Sequence, residues 1–111
     1  MDEYTRFQVA ANLGLALSLL SLEQGLDPLH QRIPKIQHWL INGEGKLPLT
    51  QWIQALEKKA GPLPSPLVPG GDPAAAALYV AAATIPKTSQ LKTYLLLLAH
   101  FVNKVTHLQE P

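Results

Sequence analysis

Proline and glycine punctuate this chain so sharply that they leave it little choice of fold. Gly25, Gly43, Gly61 and the pair Gly70-Gly71 are each followed within a few residues by a proline: Pro28, Pro48, Pro62 and Pro73. Glycine tolerates the left-handed backbone that ends a helix, and proline fits the first turn of the next helix while breaking the interior of one. The segments between these marks carry apolar residues at helical spacing, with no strand alternation and no internal repeat. The expectation is an all-α, compact bundle of about five helices in a single domain, 1–111.

The punctuation also gives boundaries. A first helix runs from about Glu3 to Glu23 and stops at Gly25. Asp27-Pro28 reads as an N-cap followed by a first-turn proline, opening a helix toward Asn42-Gly43; Pro34 lies inside that pattern and should kink it or split it in two. Leu47-Pro48 starts the third helix, PLTQWIQALEKKA, closed by Gly61. A Pro/Gly-rich connector, 61–73, follows, too rich in proline for helix. Asp72-Pro73 repeats the cap-plus-proline signal before AAAALYVAAAT, whose alanines let a neighbour approach closely, and Ile85-Pro86 breaks it. Thr88 or Ser89 caps the last helix, which reaches about Gln109. Trp39 and Trp52, beside Leu40-Ile41 and Ile53, read as core residues more readily than as stacking platforms.

A domain of 111 residues has a large surface relative to its core, yet Asp, Glu, Lys and Arg make up only 15% of it and apolar residues 47%. The first helix shows where this bears hardest. Leu13, Leu15, Leu17, Leu19, Leu20 and Leu22 point in nearly every direction, and a helix apolar all round has to be covered all round. A second copy or a different subunit would cover it more easily than four short helices. A subunit of a larger assembly, with copies of itself among its partners, is therefore expected, against the alternative of an Ala- and Leu-rich monomer.

Several classes are disfavoured. There is no cysteine, which excludes disulfide and thiolate chemistry and makes a reducing compartment the default. Met1-Asp2-Glu3 opposes a signal peptide, and the uncharged run 7–22 is shorter than the roughly 20 residues a bilayer span needs; a soluble cytoplasmic protein without membrane contact is expected. Asp27 and Asp72 look committed to capping and Asp2, Glu3 and Glu110 to the termini, leaving Glu23, Glu44 and Glu57, none paired with a histidine at helical spacing. An enzyme is not expected. His100 and His107 lie two turns apart, roughly 10 Å by helix rise, too far for one ion, as do His30 and His38; no metal or cofactor is expected.

Charge is unevenly distributed. Residues 1–31 hold four acids and one Arg, a balance of −3; residues 32–111 hold eight basic residues and four acids, a balance of +4. In the last helix, Leu91, Tyr94, Leu95, Leu98, Phe101, Val102 and Val105 cover one side. Lys92, Thr93, His100, Asn103, Lys104 and His107 cover the other, with Leu96 and Leu97 intruding and no acid to pair with the cations. Arg32, Lys35, Lys58, Lys59, Lys87, Lys92 and Lys104, with His100 and His107, are candidates to line one surface that holds a nucleic-acid phosphate backbone without reading its sequence. Lys58-Lys59 equally suit the C-terminal end of a helix dipole. The competing class is a helical protein-protein adaptor, whose basic face meets acidic side chains instead.

In its small size, its five-helix pattern, its lack of cysteine and its weak basic segregation, the chain resembles the small helical subunits of CRISPR (Cascade-type or type III) effector complexes. The resemblance is one of architecture over the whole chain and rests on no diagnostic motif. It implies a non-catalytic subunit that braces its neighbours and contacts the target or displaced strand. In some Cascade-type complexes the small subunit is made separately from the C-terminal helical part of the large one, and a chain that opens in a helix at MDEYTRFQVAANLG suits such an origin.

Overall fold

A computed structural model describes residues 1–20, 31–64 and 71–109, with side chains described as far as Val105. Among the described residues there are five helices and no strand: α1 Glu3–Leu20, α2 Arg32–Asn42, α3 Leu49–Ala60, α4 Pro73–Ala83 and α5 Gln90–Gln109. The all-α bundle expected from the sequence is the fold observed. The predicted end of the first helix at Glu23, the stop at Gly25 and the Asp27-Pro28 cap fall outside the described residues.

The ends of the helices follow local chemistry. Asp2 caps α1, its Oδ1 accepting from the Thr5 amide at 2.7 Å. Bonds from the Thr5 hydroxyl and amide hold the Asp2 carboxyl below the usual carboxylate range. Asp72 caps α4, accepting from the amides of Ala74 and Ala75 at 2.8 and 3.1 Å. Of the two candidates for α5, Ser89 takes the role, its Oγ accepting from the Leu91 amide at 3.2 Å. Gly43 closes α2 at φ 70°, its amide donating to the Trp39 carbonyl. α3 begins at Leu49, with Pro48 at the cap position one residue before its expected place. α2 starts at Arg32, so Pro34 sits in its first turn, where its missing amide has no intrahelical partner to lose, and the upstream piece of the expected split lies outside the described residues.

The helices pack as a row that curls back on itself. α1 lies against α2 and α4, and α5 lies against α4 and α3. α1 and α2 are antiparallel: Gln37 Nε2 donates to the Ala10 carbonyl at 3.1 Å, and Arg6 lies beside Gly43. Gly14 makes room for that bridge, since a Cβ there would sit 3.2 Å from Gln37 Nε2. α3 and α5 are parallel. Thr50 meets Gln90 at their N-terminal ends, Trp52 meets Tyr94 at a ring separation of 5.5 Å, and Ala60 meets Lys104 at the far end.

The core is built from one face each of α2 and α3 and from much of α4 and α5. Ala74, Ala75, Ala77, Ala81 and Ala82 are all buried, so the alanine-rich α4 does admit close neighbours. On α5, Leu91, Tyr94, Leu95, Leu98 and Val102 are buried as expected, while Phe101 and Val105 are half-buried against the core. Leu97, which intrudes on the polar arc of α5, is fully buried, because α5 is flanked by helices on two sides.

α1 is buried on one side. Val9, Leu13, Ala16 and Leu20 face the core, but Tyr4, Phe7 and Leu15 are 73%, 45% and 54% exposed, and Ala11 between them is exposed too. The sequence predicts cover on every side, more easily from a second copy or another subunit than from four short helices; among the described residues, cover comes on one side only.

Candidate nucleic-acid interface

The cationic side chains singled out by the sequence divide among three places. Lys58 and Lys59 are exposed on the last turn of α3, and Lys104 reaches the same end of that helix, its Nζ donating to the Ala60 carbonyl at 3.3 Å. Lys87 is exposed in the α4–α5 turn. Beside it Lys92 is half-buried, its Nζ donating to the carbonyls of Ala82 at 2.9 Å and Ile85 at 3.2 Å. Lys92 and Lys104 are twelve residues apart on α5, about 18 Å by helix rise, so these two groups sit at opposite ends of the bundle.

The expectation that the cations of α5 have nothing to pair with is therefore corrected. Lys92 and Lys104 take up carbonyls at the C-termini of α4 and α3, where helix ends leave acceptors unsatisfied and the macrodipole is negative. Their acid-free surroundings need no polyanion to explain them. His100 is half-buried on α5, and the His107 side chain lies outside the described residues.

The third place is a cleft. α2 and α3 do not pack closely, and between them, with the loop that joins them, lies a cavity of about 560 Å³. Its apolar part is Pro34 and Trp39 from α2, Leu47 and Pro48 from the loop, and Trp52 from α3. Its polar part is Lys35, His38 and Lys46, with Glu44 as the one acid. Arg32 stands at its edge, the guanidinium 5.3 Å above the Trp52 ring. Trp52 is core, as expected, at 9% exposure; Trp39 is half-buried and lines the cleft.

Beneath Trp52 the Tyr94 ring is fully buried, and its hydroxyl has no hydrogen-bond partner among the described residues. Burial pushes the Tyr94 pKa up, and nearby Arg32 opposes that only in part. Arg32 is thereby a half-buried cation held over an indole and near a buried phenol, behind the Trp52 side of the cleft.

Of the candidate site residues, only Arg32 and Lys35 come together at this cleft; Lys46, His38 and Trp39 belong to it and were not singled out as binding residues. A signal existed in part: Lys35, His38 and Trp39 have the i, i+3, i+4 spacing of one helix face. Lys46 had none, because the loop that carries it has no periodicity.

The cleft also brings Glu44 near His38, the type of pairing that general acid–base chemistry requires. No hydrogen bond or ion pair joins them among the described residues. His38 Nδ1 lies 2.9 Å from the Asn42 amide, and both His38 and Glu44 are exposed. Among the described residues no three His, Asp or Glu side chains are placed to share a metal ion, and no helix is long and apolar enough to cross a membrane. The chain matches no protein-family model, no curated protein and no solved structure.

Proposed function

We propose that this chain is a non-catalytic helical subunit of a larger nucleoprotein assembly, which braces its neighbours and contacts a nucleic-acid backbone without reading sequence. The observation that carries the reading is the outward face of α1, an apolar stripe of Tyr4, Phe7, Ala11 and Leu15 that no other described helix covers. Such a stripe on a charge-poor surface favours contact with protein. It also suits a second copy. About a twofold axis through Ala11, an antiparallel neighbour sets Phe7 opposite Leu15, each four residues from the centre, with the small Ala11 at the crossing.

The nucleic-acid half of the reading is supported by the cations that remain exposed once Lys92 and Lys104 are discounted: Lys35, Lys46, Lys58, Lys59 and Lys87. An effector-complex small subunit of the CRISPR type would use both features. The adaptor alternative, with no nucleic-acid contact, draws support from the internal use of Lys92 and Lys104.

Light scattering and oligonucleotide binding on the purified chain test the two halves separately. The wild type is expected to self-associate and Leu15→Glu to be monomeric with unchanged helicity. Single-stranded DNA is expected to bind at low salt with an affinity that falls as salt rises. A wild type that stays monomeric at high concentration removes the bracing role. Oligonucleotide binding that Lys58→Glu with Lys59→Glu and Lys35→Glu with Lys46→Glu leave unchanged removes the phosphate contact.

A further inference from the structure

We infer that the α2–α3 cleft seats an unpaired base of a single-stranded nucleic acid, with Trp39 as the stacking surface and Lys35 and Lys46 holding the flanking phosphates. The inference rests on the nucleic-acid contact proposed above and gives it a place and a strand state.

The cleft is concave, mostly apolar and about 560 Å³, within the range of sites that enclose a small flat ligand. The two indoles in it differ. Trp52 is nearly buried, carries Arg32 over its ring and is tilted 45° against Tyr94, so its ring is already engaged by protein. Trp39 is half-buried and opens on the cavity. Lys35 and Lys46 are both exposed and neither is engaged by an acid among the described residues, whereas the cations of α5 are tied to helix ends. Two free lysines beside one carboxylate, Glu44, make the rim complementary to an anion, and the indole and prolines make the floor complementary to a flat ring. A strand with splayed bases offers both. A duplex offers only phosphates, because its base faces are stacked. Stacking on an aromatic ring tolerates any base, in keeping with a site that has few directional hydrogen-bonding groups.

The test is anisotropy of a labelled short oligothymidylate, with a hairpin duplex of equal phosphate number beside it, and thymidine monophosphate as competitor. The single strand is expected to bind more tightly than the duplex and to quench indole fluorescence. Trp39→Ala should weaken it about tenfold, and so should Lys35→Glu with Lys46→Glu. The lysines are exposed, so this second variant reads the site even if removing the half-buried indole unfolds the chain. Binding that survives both variants but is lost in Lys58→Glu with Lys59→Glu overturns the cleft while leaving the backbone contact standing. Equal competition by the mononucleotide overturns the strand in favour of a free nucleotide. Failure of the wild type to bind any oligonucleotide at low salt overturns both readings together.

Discussion

α1 and α4 pack against each other, and each keeps several exposed apolar side chains, whereas the exposed side chains of α2 and α3 are mostly polar. The exposed residues of α1 include Tyr4, Phe7, Ala11 and Leu15, beside the polar Glu3, Gln8 and Ser18, and those of α4 include Ala76, Val80 and Ala83. The outward residues of α2 include Lys35 and His38, and those of α3 include Gln51, Gln54, Glu57, Lys58 and Lys59. α3 divides cleanly into a buried stripe and a polar face, and α2 does so except at Ile41, which is 51% exposed. α1 and α4 do not divide. Their exposed apolar side chains add nothing to the core, so the difference separates what folds the chain from what lies available for contact.

The sharpest way to break this comparison is to truncate both faces of one helix. Leu13 and Leu15 are two residues apart on α1, one fully buried and one 54% exposed. Leu13→Ala is expected to cost about 2–5 kcal/mol in denaturant unfolding, and Leu15→Ala to stay within about 0.5 kcal/mol while weakening self-association. Equal losses would mean that the outward face is structural after all.

Lys92 and Lys104 allow a smaller contrast between the two sides of α5. Lys92→Ala removes two bonds from a half-buried ammonium to the end of α4, and should cost about 1–2 kcal/mol. Lys104→Ala removes one longer bond at an exposed site on the α3 side, and should cost less than about 0.5 kcal/mol. Thermal unfolding of the two variants checks the order. A reversed order would place the anchoring of α5 on α3 instead of α4.

The smallest effect concerns the seam under the cleft. Tyr94→Phe deletes a buried hydroxyl with no well-formed hydrogen bond among the described residues, only the nearby Arg32 guanidinium, and should raise stability by about 1 kcal/mol. Because burial raises the Tyr94 pKa, the folded state holds that proton more tightly than the unfolded chain does. The resulting stability is complete below about pH 10, the unfolded value, and is lost as pH climbs through the higher folded value. Tyr79 is shifted in the same direction by burial, opposed by a bond from Asn103, and adds to the same alkaline loss. Tyr94→Phe should therefore flatten the decline of stability at alkaline pH, measured by circular dichroism; a parallel decline in both proteins would assign it elsewhere.

Much of the architecture was legible because its signals are local. Asp72 before Pro73, Ser89 before Leu91 and Gly43 after Asn42 each act on backbone groups within four residues, so sequence spacing alone locates them. Asp2 carries the same signal for α1, hidden by its place beside the terminus. Pro34 stands in the first turn of α2, a position that spacing from Asp27-Pro28 does not reveal.

The chemistry-bearing side chains were less legible. Wheel geometry correctly put Lys92 and Lys104 on the polar side of α5, yet whether they face a partner or a helix end depends on where α3 and α4 stop in space. Lys104 meets a carbonyl 44 residues away in the chain, and no periodicity encodes that.

By itself, the sequence determined five helices, most of their caps, the apolar excess of α1 and the scarcity of acids after Asp72, because each is a property of composition or of neighbouring residues. Only the tertiary structure decided which side of α1 stays open, which lysines are spent on helix ends, and that Trp39, Lys35 and Lys46 share a cleft. Those outcomes follow from how α2 and α3 stand apart while α4 packs between α1 and α5, and packing between distant segments is the one interaction that local spacing cannot carry.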